Sequence, residues 1–247
     1  MSGSLFSLPT VFPGIIWRCP TPARSARTPA ILAAKKCTCF RKAEIELLYA
    51  QSNLNEILEK ENFDSFSFDY YSATIKNEAT GLSALDTARR AYDTAQRFVQ
   101  DFDRKFENLF LYGDTGVGKT FLSHCIAREL LRSTHCVLYF SAYDLFDMMA
   151  ANSFSRKDTG TDEELIYDCD LLIIDDLGTE LTNSFVSSQL FLCLNERIMR
   201  RKSTIISTNL TLRNFSDTYS ERTFSRIASN YQMISLIGKD IRIQKIF

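Results

Sequence analysis

The sequence predicts an α/β protein with a five-stranded parallel sheet flanked by helices. Three observations carry that reading. From Asn108 onward, short apolar runs alternate with helical patterns. Strands alternating with helices require crossover connections, which cover both faces of a parallel sheet. One run is followed directly by Gly113-Asp114-Thr115-Gly116-Val117-Gly118-Lys119-Thr120 and then by a helical pattern, and another ends in the carboxylates Asp175 and Asp176.

The elements follow in order. Residues 1–35 hold all five prolines and no acidic residue, and no hydrophobic period persists, so they read as disordered or aberrant. Residues 36–82 form a cysteine-containing linker region. Within it Ile45, Leu47, Leu48, Leu54, Ile57 and Leu58 recur at helical spacing, and Asn62 to Tyr71 is an aromatic-rich loop. Residues 83–247 form the main domain, opened by a helix to about Asp101 with Ser83 as its cap. The predicted strands are Leu109–Tyr112, Cys136–Phe140, Leu171–Asp175, Thr204–Ser207 and Met233–Ile237. The predicted helices between them are Lys119–Arg132, Ala142–Asn152, Asp162–Asp168, Ser184–Arg201 and Asp217–Ser229.

Composition narrows the function. The 247 residues are 45% apolar and 24% charged, which suits one globular domain with a smaller appendage. A formal net charge of −1 gives no global basic field, so any nucleic-acid contact has to come from a local patch. No run of 18 apolar residues crosses a membrane and no convincing secretory signal opens the chain. The expectation is a cytoplasmic protein with reduced cysteines, of which Cys125, Cys136, Cys169 and Cys193 lie in apolar stretches.

The octapeptide is a phosphate-binding loop in its proper setting, between a strand and a helix. Its glycines let backbone N–H groups turn inward toward phosphate oxygens. Lys119 neutralises the terminal phosphates, Thr120 offers a hydroxyl to Mg²⁺, and the following helix adds the positive end of its dipole. ATP and Mg²⁺ are the implied ligands, held by Gly113 to Thr120 with the adjoining Phe121. In a parallel sheet, ligands bind beyond the carboxyl ends of the strands. That brings Asp175 and Asn209, which closely follow strands, to the same edge. Asp175 is then a magnesium ligand, Asp176 a candidate to orient the attacking water, and Asn209 a donor to the γ-phosphate. Alone, the Asp-Asp pair could be a helix cap and Asn209 the start of a turn. Arg222 and Arg226 share a helix face, and a guanidinium suits phosphate oxygens, although surface arginines are more often solvated.

Together, Gly113–Thr120, Leu171–Asp176, Ser207–Asn209 and Glu221–Ile227 resemble the AAA+ ATPases. More narrowly they are similar to the replicative-helicase loaders of the DnaC/DnaI type, over about residues 36–247. The resemblance implies a Walker B pair at Asp175 and Asp176, sensor 1 at Asn209, an arginine finger at Arg226 and, more loosely, sensor 2 at Arg242. A finger acting on a neighbour's ATP implies a homo-oligomer. About ten residues follow the last strand, so no full C-terminal lid is expected. Loaders often carry a cysteine-rich zinc module. Here only Cys19, Cys37 and Cys39 are in place, and a closed structural zinc site takes four ligands. Arg27–Ile31 has the form that an out-of-frame reading of a family peptide would give, so part of 1–35 is a candidate frameshift product.

The implied function is ATP-dependent delivery of a replicative helicase to single-stranded DNA. An IstB-type transposition helper, binding DNA and a transposase, shares the core. A nucleotide-switched adaptor with negligible hydrolysis is a third reading, because Asp176 stands where many AAA+ proteins carry Glu. A small-molecule kinase leaves the Asn209 and Arg226 blocks unexplained. Candidate DNA contacts are Arg156 and Lys157, the cluster Arg197, Arg200, Arg201 and Lys202, and the aromatics Phe63, Phe66, Phe68, Tyr70 and Tyr71. For the cluster, a helix C-terminus is the blander explanation, and for the aromatics, packing of the linker onto the core.

Overall fold

The computed structural model describes residues 54–154 and 160–244. The readings made for residues 1–53, including disorder, the three zinc-type cysteines and the frameshift, fall outside them, as do Arg156 and Lys157. Five strands, β1 (Leu109–Tyr112), β2 (Val137–Ser141), β3 (Leu171–Leu177), β4 (Ser203–Thr208) and β5 (Gln232–Ser235), pair in the order β2-β3-β4-β1-β5. All four pairings are parallel. The helices are α1 (Leu54–Lys60), α2 (Ala84–Asp101), α3 (Lys119–Arg132), α4 (Ala142–Phe154), α5 (Gly160–Asp168), α6 (Ser184–Met199), α7 (Leu212–Tyr219), α8 (Glu221–Asn230) and α9 (Ile241–Gln244).

The strands are buried because helices cover them. Leu171 to Ile174, Ile205 and Ile206 have no exposed surface. Burying each such side chain stabilises the fold by about 1.5–3 kcal/mol. This explains why they read as continuous apolar runs rather than alternating ones. Ser83 caps α2 as expected, its hydroxyl accepting from Asp86 N while the Asp86 carboxylate accepts from Ser83 N.

One predicted element divides. The helix expected over Asp217–Ser229 is two, α7 and α8, broken at Ser220, whose φ is +85°. Ser220 caps α8 by accepting from Thr223 N. The turn lets Phe215 and Tyr219 on one helix, and Thr223 and Ile227 on the next, all face inward. Continuous periodicity concealed the break.

The linker residues 54–82 lie against the domain. Glu59 reaches Arg128 and Arg132 at 3.6 Å, and Glu61 Oε2 stands 2.6 Å from His124 Nδ1. His124, Arg128 and Arg132 are four apart and share one face of α3. Phe66 stacks on Tyr71 and meets Phe121 edge-on.

Candidate nucleotide site

The carboxyl edge of the sheet gathers the residues that sequence spacing pointed to. Gly113, at φ +142°, passes so close to the chain after β5 that a Cβ there would stand 1.8 Å from Leu236 O. Gly118, at φ +97°, occupies the N-cap of α3. Lys119 is 4% exposed, and its Nζ donates to Gly113 O (2.7 Å), Asp114 O (2.6 Å) and Asn209 Oδ1 (2.7 Å). All three donors of the ammonium are thus directed by the loop and by the end of β4. Burial lowers the Lys119 pKa, opposed by Asp176, Asp175 and Asp114. Val117 is buried, and its carbonyl accepts from Tyr71 Oη at 3.0 Å.

Two consecutive strand residues ordinarily face opposite sides of a sheet. Asp175 and Asp176 both serve this edge because the β3–β4 register shifts between Ile174 and Leu177, and Asp176 takes a φ of +54°. Left-handed backbone at a non-glycine residue is costly and clusters at functional sites. Asp175 is 7% exposed. Its Oδ1 accepts from Thr120 Oγ1 at 3.2 Å and from Ser207 Oγ, and its Oδ2 accepts from Tyr139 Oη at 2.7 Å. Asp176 N donates to Ser207 Oγ at 2.9 Å, and Asn209 Nδ2 donates to Asp176 Oδ1 at 3.3 Å. Asn209 therefore bridges Lys119 and Asp176. Burial raises the Asp176 pKa and the adjacent Asp175 charge adds to the rise.

These groups open onto a cavity of about 460 Å³. Thr115, Gly116, Gly118, Lys119, Thr120, Asp176 and Asn209 line one part, and Ile57, Phe66, Tyr70, Tyr71 and Phe121 contribute an apolar part. A polar, phosphate-sized end beside an aromatic one matches the two halves of a nucleotide. The oxygen donors of Thr120 and Asp175 suit a hard divalent cation, which beside phosphates needs only one or two carboxylates. Among the described residues no group of three or more His, Cys, Asp or Glu makes an all-protein metal site. The oxygen donors of Thr120 and Asp175 fit magnesium brought with a nucleotide.

The arginines fall differently. Arg242 lines the cavity and pairs with Asp240 at 2.9 Å, and the Asp240 carboxylate packs against Gly116. Arg226 is exposed on α8 and does not line the cavity. Arg222 lies 4.3 Å over the Phe191 ring. At the end of α6, Arg197, Arg200 and Lys202 are engaged within the domain, which sets those three aside as DNA-contact candidates, whereas Arg201 is exposed. Arg197 is fully buried and donates to Ile166 O, Cys169 O and Thr204 Oγ1. Arg200 pairs with Glu164, Asp168 and Glu196, Lys202 pairs with Asp170, and Arg201 lies over Phe106.

Sequence reasoning missed Tyr139, Ser207 as a carboxylate partner, and the Glu61–His124 pair, whereas Tyr71 packs the linker onto the core as the aromatic loop suggested. Only His124 left a signal, lying one helical turn after Thr120.

The fold and site define a P-loop ATPase core of the AAA+ kind. The chain belongs to the IstB-like ATP binding protein family, which matches residues 57–243. It is 30% identical over 215 residues to the chromosomal replication initiator protein DnaA of Zymomonas mobilis, covering 85% of this chain and 38% of that protein. It is 25% identical over 145 residues to the replicative helicase loader DnaC of Buchnera aphidicola, covering 58% of each. The chain thus spans well under two thirds of the length of these relatives. The crystal structure of the DnaC helicase loader superposes with a TM-score of 0.60 at 22% identity, over 72% of this chain and 98% of that one, a likeness of fold. Among the described residues no helix is long and apolar enough to cross a membrane.

Proposed function

We propose that this chain is a cytoplasmic, ATP-hydrolysing helicase loader acting in DNA replication, which delivers a replicative helicase to single-stranded DNA. The observation that carries it is the convergence of Lys119, Thr120, Asp176 and Asn209 on one cavity, with Asp175 bonded to Thr120 behind it. The similarity to a replicative helicase loader supports the choice of partner.

In this reading the backbone from Gly113 to Gly118 and the Lys119 ammonium hold the triphosphate. Thr120 and Asp175 would hold magnesium, which would supply charge neutralisation at the terminal phosphates. Asp176 accepts a hydrogen bond from the attacking water, and its raised pKa makes it a stronger proton acceptor than an ordinary carboxylate. Asn209 holds Asp176 and Lys119 in fixed relation. Arg226 acts on the nucleotide of a second copy, so the working form is a homo-oligomer, and Arg242 acts on its own.

The family description also favours a second reading, a helper that binds DNA and a transposase. Affinity capture with the full chain and ATP separates them: helicase recovery supports the loader, and transposase recovery in its place overturns it. Phosphate release with and without single-stranded DNA tests hydrolysis, and no turnover in either condition leaves only a nucleotide-switched adaptor.

A further inference from the structure

Asp175 sits on the middle of three adjacent strands. Tyr139 on β2 pairs in register with Ile173, two residues before Asp175 and on the same face. Side chains on a strand lean along it, so the phenol spans one pleat and its Oη donates to Asp175 Oδ2 at 2.7 Å. Thr120 and Ser207 both address the other oxygen, Oδ1. Tyr139 is thus the partner of the Oδ2 oxygen, which lies away from Thr120.

The phenol is braced from behind. The His124 ring lies against the Tyr139 ring with centroids 5.0 Å apart, and His124 Nδ1 is 2.6 Å from Glu61 Oε2 just beyond α1.

We infer that Tyr139 is a positioning residue: its hydroxyl holds Asp175 Oδ2 so that Oδ1 is presented beside Thr120 to the divalent cation of a bound nucleotide. The inference rests on the nucleotide-binding reading of the site. A carboxylate torsion is intrinsically broad, so without that donor the group is held only at Oδ1, by Ser207 and Thr120, and its plane is free to tilt. The link through His124 to Glu61 also ties the carboxylate to the segment that enters the domain.

Tyr139→Phe tests this, because it keeps the ring and its packing on His124 and removes only the donor. Mn²⁺ binding to the complex with a non-hydrolysable ATP analogue is read by electron paramagnetic resonance. Affinity for the analogue in EDTA and the melting temperature are measured alongside. Outer partners of metal ligands typically tune affinity by about 10–100-fold, so half-saturation by Mn²⁺ is expected to rise about tenfold. Metal-free nucleotide affinity stays unchanged, the melting temperature falls by several degrees at most as the bond to Asp175 is lost, and excess Mg²⁺ restores turnover. Mn²⁺ affinity within twofold of wild type overturns the inference, as does a parallel loss of metal-free nucleotide affinity. Absence of nucleotide-dependent Mn²⁺ binding by the wild type overturns the site reading instead.

Discussion

The Lys119 ammonium donates to Asn209 Oδ1 at 2.7 Å, joining the start of α3 to the end of β4 across 90 positions of chain. The contact brings the phosphate-binding cation and the amide expected at the γ-phosphate into one hydrogen-bonded unit. The other end of the same amide holds Asp176.

Lys119→Ala removes the charge-assisted donor seated within the phosphate loop. Such hydrogen bonds contribute about 1.5–3 kcal/mol, so ATP affinity falls roughly 10–100-fold. Titration with a fluorescent ATP analogue measures it. Unchanged affinity would show that the triphosphate does not sit on this loop.

Gly113→Ala meets both a positive φ and the Leu236 carbonyl, where no side chain can move aside. Backbone strain of this kind costs about 1–3 kcal/mol, and the overlap adds to it. For a domain of this size each kcal/mol shifts the melting temperature by about 2–4 °C. Thermal unfolding is expected to show a drop of at least several degrees, with weakened nucleotide binding.

Arg226→Ala is expected to keep ATP binding and lose turnover, since the side chain lies outside its own cavity. Arginine fingers acting between subunits are worth about 10³–10⁵ in rate. Mixed in equal amounts with Asp175→Ala protein, the variant should regain part of its turnover, because one shared site then carries both groups. Phosphate-release assays of the mixture decide it, and failure of the rescue argues against shared sites.

Asp176→Asn separates stability from activity. The folded-state pKa of Asp176 is raised, so its contribution to stability is full below the unfolded carboxylate pKa and is lost as pH rises through the folded value. At neutral pH the ionised side chain therefore opposes folding. The asparagine variant should melt higher than wild type at pH 7 and lose that advantage in acid. Its turnover should fall about 10²–10⁴-fold, the usual worth of a positioned base. The acid limb of the wild-type pH–rate profile should lie above the ordinary carboxylate range.

Arg197→Ala takes the guanidinium donor from the buried carbonyl of Cys169 and leaves Ile166 O only the weak Sγ–H of Cys169. Each unsatisfied group costs about 1–3 kcal/mol. Chemical denaturation should show a large loss of stability, whereas Arg201→Ala at the surface should change it by under about 0.5 kcal/mol.

Local pattern determined the elements and the phosphate loop. The bounds of β1 and α3 and the Ser83 cap follow from apolar runs, glycine spacing and capping chemistry, all of which act over a few residues. Asp175 and Asn209 were legible because a parallel sheet sends strand ends to one edge. Tertiary structure alone decided the rest. The bulge after Ile174 lets Asp176 join Asp175 at that edge, and the β2–β3 register places Tyr139 under Asp175. The ion pairs of Arg200 with Glu164 and Asp168, and of Lys202 with Asp170, join residues 32 or more positions apart. Alternation along a chain says which residues share a face. It does not carry the register between strands, and register is what brings one side chain to another.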